Sequence, residues 1–233
     1  MKKGLTELVF VLDRSGSMAG LEEDTIGGFN SMIAWQKAEE GEALVTTVLF
    51  NGSSTTVHDR LPLGRVPLLT RQEYAVGGST ALLDAVGSSV GRTALIHRYA
   101  REEDVPERTM FVIMTDGMEN ASTRFRYENV KELIEESKAK GWEFLFLGAN
   151  IDAAAVGGKM GIRPGRTAQF CNDGVGQQVN YSAVSCAVSN FRHAGDFCDD
   201  WSENITAHRK SAEKRGNPCL LYTSPSPRDP KTS

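Results

Sequence analysis

The stretch "ELVFVLDRSGSMAG", residues 7–20, decides how this chain is read. Five apolar residues, Leu8 to Leu12, stop at Asp13, and Ser15 and Ser17 follow at alternate positions. An apolar run without polar alternation is the pattern of a strand covered on both faces. A turn after it needs only Asp13 and Gly16, which leaves the two serines unexplained. Alternate residues of an extended segment point the same way, so Asp13, Ser15 and Ser17 can face one point. Gly16 lets the backbone turn tightly beneath them.

The same grammar repeats outward from this segment. "ALVTTVLFN" (43–51), "TMFVIMT" (109–115) and "WEFLFLGA" (142–149) are further apolar runs. Between them Ile26, Phe29, Met32 and Ile33 fall at helical spacing, with Gly41 closing that helix. Leu83, Val86, Val90 and Ala94 mark a second helix, and Val130, Leu133 and Ile134 a third that ends in "KAKG" at Gly141. "NGSS" turns into the more polar "TTVHDRL", a hairpin partner at a sheet edge. A short helix near 152–160, a weaker strand near "RTAQFC" and a helix around 177–192 complete the series. Buried strands alternating with amphipathic helices predict an α/β fold. The expected form is a three-layer α/β/α, Rossmann-like, doubly wound and mostly parallel sheet with one antiparallel edge strand.

Composition sets outer limits. The 233 residues suffice for one full core, and the net charge of -4 argues against electrostatic binding to nucleic acid or to an anionic membrane. No run of 18 apolar residues exists to span a bilayer. The apolar run after "MKKGLTE" is too short for a signal-peptide core. Cys171, Cys186, Cys198 and Cys219 show no paired spacing and read as structural thiols of a reducing, cytoplasmic compartment. On that basis the sequons at Asn51, Asn120 and Asn204 are chance matches.

The C-terminal end changes character. Four of the eight prolines fall in residues 218–233, with no apolar periodicity. The segment "CLLYTSPSPRD" back-translates to a sequence resembling the transposase adaptor of sequencing-library preparation. Residues 218–233 are therefore expected to be a disordered, non-native read-through tail and are excluded from fold reasoning. A single domain over 1–217 remains, with a core of about 5–193 and a C-terminal helical extension over 194–217.

Two apolar strands end in aspartate, at Asp13 and Asp116. In open parallel sheets ligands sit at the carboxyl ends of strands, near the point where strand order reverses. If these strands are neighbours their carboxylates converge, repel each other and raise one pKa unless a cation intervenes. Carboxylate and hydroxyl oxygens, without His or Cys in these loops, suit Mg²⁺, Mn²⁺ or Ca²⁺ and not Zn²⁺.

"DRSGS", then "GGSTALLDA" with Thr80, then "MTDGMEN" with Asp116, resembles the von Willebrand factor A domain and its metal-ion-dependent adhesion site. The likeness is greatest to stand-alone bacterial or phage-type members. The resemblance implies a metal set of Asp13, Ser15, Ser17, Thr80 and Asp116. The three hydroxyls would touch the ion, and the two carboxylates would act mainly through water or switch to direct contact. It also implies a non-catalytic protein-binding module in which an Asp or Glu of a partner fills the open coordination position. Arg14, Met18, Glu119 and Asn120 would rim that position, and the helix around 177–192 would move with coordination. Some bacterial relatives work with an AAA+ ATPase or in a stress-resistance complex.

The alternative is a metal-dependent hydrolase of phosphate esters, using the same ion as Lewis acid. The motif loops offer it no general base, and only Arg14 as a cation to receive a phosphoryl group. Other motifs fail on context. "GGSTA" ends in Ala81 where a nucleophile elbow needs glycine, and "GVGQQVN" lacks the third glycine of a dinucleotide fingerprint. An aspartyl-phosphate phosphatase would want a second acid where Ser15 stands. His58, His97, His193 and His208 read as surface or packing residues, and Trp35 and Trp142 as core or interface.

Overall fold

The computed structural model describes residues 1–215, so the tail expected over 218–233 lies outside the described residues. Each apolar run becomes a strand of one six-stranded sheet, ordered β3-β2-β1-β4-β5-β6. In chain order the elements are β1 (Lys2–Asp13), α1 (Glu22–Ala38), β2 (Glu42–Phe50), β3 (Ser54–Pro62), α2 (Leu82–Tyr99) and β4 (Pro106–Thr115). They continue with α3 (Tyr127–Lys138), β5 (Glu143–Ala149), α4 (Ala153–Lys159), β6 (Thr167–Phe170), α5 (Gly174–Ala194) and α6 (Glu203–Lys214). All neighbouring strands are parallel except β2 and β3, the antiparallel edge pair.

The period of two along β1 divides the core between two helical layers. Leu8, Phe10 and Leu12 pack with Phe29 and Ile33 of α1 and Val184 and Val188 of α5. Val9 and Val11, with Phe111 and Ile113 of β4, face Leu82, Val86 and Val90 of α2 and Val130 and Ile134 of α3. Trp142 belongs to this second cluster, whereas Trp35 is 71% exposed and packs in no core.

Three polar devices were not visible as such in the sequence. Along the α1–α5 seam, buried Gln36 donates to the Ser185 carbonyl and to Ser189, and Arg192 donates to the carbonyls of Gln36, Glu40 and Gly41. That guanidinium satisfies carbonyls left open at the end of α1. Near the start of the same seam, α5 closes on Gly28, where a Cβ would fall 2.2 Å from the Tyr181 ring. The third device ties down the C-terminal extension. Arg166, almost wholly buried, donates to Glu143, Asp199 and Asp196 and stacks 3.8 Å from the Phe197 ring centroid.

β1 begins at Lys2, six residues before the apolar run that announces it. Cys186 and Cys198 are free thiols, but Cys171 is disulfide-bonded, which corrects the expectation of thiols throughout. His58 is buried against the Thr47 hydroxyl. Among the described residues no helix is long and apolar enough to cross a membrane.

Candidate metal centre

β1 and β4 lie side by side where the strand order turns from 3-2-1 to 4-5-6. Leu12 pairs in register with Met114, so Asp13 and Thr115 leave the sheet at one level with Asp116 next along the chain. This is the crevice in which a doubly wound sheet presents its ligands.

Three loops close over it, held mostly by backbone. The Gly16 amide donates to the Gly78 carbonyl at 3.0 Å and the Gly77 amide to the Arg14 carbonyl at 2.9 Å, joining the first loop to the second. Gly78 has φ of +82°, a conformation that suits glycine. The Asn120 and Ala121 amides donate to the Thr80 carbonyl at 3.0 and 3.2 Å, joining the second loop to the third. The Thr80 amide in turn donates to Asn120 Oδ1 at 2.9 Å.

Within that frame the expected side chains meet. Asp13 is buried, with Oδ1 accepting from the Ser15 amide at 2.7 Å and Oδ2 from the Thr115 hydroxyl at 2.6 Å. Ser15 Oγ and Ser17 Oγ are 3.0 Å apart, and Ser17 Oγ donates to Asp116 Oδ1 at 2.5 Å. Thr80 joins them at Gly117, where a Cβ would stand 3.3 Å from both Ser17 Oγ and Thr80 Oγ1. A side chain at 117 would crowd the two hydroxyls, so glycine there keeps the space open.

Burial raises the Asp13 carboxyl above the ordinary aspartate range, and hydrogen bonds from Thr115 and Ser15 offset this only in part. Asp116 is pushed up to about 6, chiefly by burial and further by the Asp13 charge, against the lowering bonds from Ser17 and Asn172. Two carboxylates that resist ionising beside each other, with three hydroxyls turned to the same place, form a hard-oxygen donor set. That set fits a Mg²⁺-, Mn²⁺- or Ca²⁺-class ion.

Several residues of the site were not anticipated. Thr115 holds Asp13, and Asn172, beyond β6, donates to Asp116 Oδ2 at 2.8 Å. Asn51 donates from its side chain to the Gly77 carbonyl at 2.8 Å, pinning the second loop to the β2–β3 turn. Asp84 accepts from the Thr123, Arg124 and Phe125 amides. Burial alone would raise Asp84, but those amides prevail and hold its carboxyl below the ordinary range. A threonine ending a strand next to "TD" is the one local signal for Thr115; Asn172 lies 56 residues from its partner and gives none.

The expected rim is corrected in part: Asn120 is exposed, but the other three residues are buried or engaged elsewhere. Met18 is buried, and the Glu119 carboxylate is spent on the Leu83, Ala121 and Ser122 amides. Arg14 donates to the Glu73 carbonyl and to Thr55. Met118, two residues beyond Asp116, is 63% exposed. A second group, Cys171, Asp173 and His208, gathers ligand-type atoms within 4.8 Å, but the Cys171 sulfur is in a disulfide and is no thiolate ligand.

No protein-family model matches this sequence, and no curated protein does. Solved structures do share its fold. The von Willebrand factor domain of the type V pili tip protein Mfa5 from Porphyromonas gingivalis superposes with a TM-score of 0.55 at 10% identity, over 83% of this chain and 98% of that one. The manganese-loaded TRAP protein of Plasmodium vivax gives 0.52 at 18% identity, over 72% and 69%. Proximal thread matrix protein 1 from the mussel byssus gives 0.54 at 12% identity, over 78% of this chain and 45% of that one. The present chain thus spans less than half of the mussel protein. At these identities the likeness establishes the architecture: the chain has a von Willebrand factor A-like fold.

Proposed function

We propose that the chain is a metal-dependent protein-binding module of the adhesion-site type. Asp13, Ser15, Ser17, Thr80 and Asp116 would hold a Mg²⁺ ion, or Mn²⁺ or Ca²⁺ in its place. The ion would supply an electrophilic centre with one coordination position left for an Asp or Glu of a partner. The observation that carries this reading is the hydroxyl relay Ser15–Ser17–Asp116 beside the buried Asp13, with Thr80 delivered to the same spot through the second loop. The manganese-loaded state of the Plasmodium neighbour supports the reading by analogy of fold.

Binding without turnover is the reading for reaction class. The phosphoesterase alternative needs a cation facing the ion, and Arg14 is committed to Glu73 and Thr55. A cytoplasmic partner, an AAA+ ATPase or a stress-resistance complex, remains part of the proposal drawn from the sequence resemblance.

The experiment is an affinity capture from cell extract on residues 1–217, run in Mg²⁺ and in EDTA, beside calorimetric titration of Mg²⁺. The expected outcome is one or more proteins retained only with Mg²⁺, and lost with Asp13→Ala together with the calorimetric signal. Retention equal in both buffers, or an unchanged titration in Asp13→Ala, would sink the reading.

A further inference from the structure

At the opposite end of β1 and β4 from the three loops, a cleft of about 570 Å³ opens between the C-terminal ends of α2 and α3. Leu133 and Trp142 give it apolar walls, and Gly91 widens it on the α2 side. Two polar residues lie at the floor of this cleft. Thr109 is 2% exposed, yet its buried hydroxyl oxygen has no hydrogen-bond partner. Native interiors rarely leave such a group uncompensated.

His97 is the second. Its Nε2 lies 2.6 Å from Glu7 Oε2, and Arg60 donates to Oε1 of the same carboxylate at 2.7 Å. Glu7 is fully buried and stands opposite Thr109 in the β1–β4 register, so strand, helix and edge hairpin together fix the imidazole. With Nε2 held by Glu7, Nδ1 is the ring nitrogen left for a ligand. The charged side chains lining the cleft, Arg98, Lys140, Glu107 and Glu136, balance in sign.

We infer that this cleft binds a small uncharged amphipathic molecule, a ring or short chain carrying a hydroxyl or carboxamide. The ligand's polar head donates to His97 Nδ1 and accepts from the Thr109 hydroxyl, while its apolar part lies against Leu133 and Trp142. An apolar concavity of this size with a few placed polar groups is the usual form of a small-molecule site.

Phenol and benzamide are suitable probes, with benzene and benzoate as controls, followed by amide and indole NMR shifts of the full chain. The expected result is a set of shifts confined to Ala94, His97, Thr109 and Trp142, with phenol binding at least fivefold tighter than benzene or benzoate. Gly91→Phe should abolish these shifts without unfolding the chain, since a Cβ at Gly91 meets nothing within 4 Å. Thr109→Val should weaken phenol at least fivefold and leave benzene unchanged. Scattered shifts, benzoate equal to phenol, full binding by Gly91→Phe, or a Thr109→Val protein with a raised melting temperature and unaltered phenol affinity would each overturn the inference.

Discussion

Asp116 is the carboxylate whose protonation the crevice shifts most clearly, which bears directly on the proposed ion. Its folded pKa of about 6 lies above the ordinary aspartate value of 3.8. Between those values the folded chain holds a proton that the unfolded chain releases, so this residue's contribution to stability is full at low pH. It is lost as pH rises through about 6. Two units amount to about 3 kcal/mol. In EDTA, the melting temperature of the native chain relative to Asp116→Asn should therefore fall between pH 4 and 7. Saturating Mg²⁺, which favours the ionised carboxylate, should remove that fall. A difference between the two proteins that stays constant with pH would refute the shift. Asn172 acts on the same carboxylate from behind, at 2.8 Å. Asn172→Ala should weaken Mg²⁺ roughly 10- to 100-fold in a calorimetric titration, as loss of a ligand's supporting bond does; an unchanged affinity would show that Asn172 positions nothing.

At the scale of elements, α1 and α5 meet through small and polar residues as much as through apolar ones. Gly28 is the closest approach, with the Tyr181 ring where its side chain would be. Gly28→Val should cost about 1–3 kcal/mol by forcing the helices apart, read as a lowered denaturant midpoint; Gly27→Ala on the open side, where a Cβ meets nothing within 4 Å, should not. Continuous apolar runs made the central strands legible, because burial on both faces leaves no polar alternation to confuse with a helix. β1's first residues were not legible, since Lys2, Lys3 and Gly4 carry no apolar signal, and Lys2 and Gly4 are held by the distant carboxylates of Glu42 and Glu107. Glu7, Arg60 and His97 escaped for a related reason. Each looks like a solvent-facing charge until the register brings them together from three elements.

At the scale of the molecule, the convergence of Asp13, Ser15, Ser17, Thr80 and Asp116 was legible and its supports were not. The motif residues are local in sequence, while Thr115, Asn51 and Asn172 matter only once strands far apart in the chain become neighbours. The same holds for the C-terminal extension, whose attachment rests on Arg166 among three carboxylates. Arg166→Met leaves Glu143, Asp196 and Asp199 without their shared counter-charge. It should speed hydrogen exchange in α6 at least tenfold while β1 and β4 exchange as before; unchanged exchange in α6 would show that apolar contacts of Ile205 and Ala212 suffice.

The paired register of the two central strands has one more consequence. β1 carries Glu7 and Asp13, β4 carries Thr109 and Thr115, and both pairs are six residues apart. The chain thus presents two chemically unlike ends joined by about 20 Å of its stiffest backbone. Such a strut separates its ends instead of signalling between them. Occupants at the two ends should add without cooperativity, Mg²⁺ titrating identically with and without saturating phenol, as for a coupler whose two sockets are filled independently.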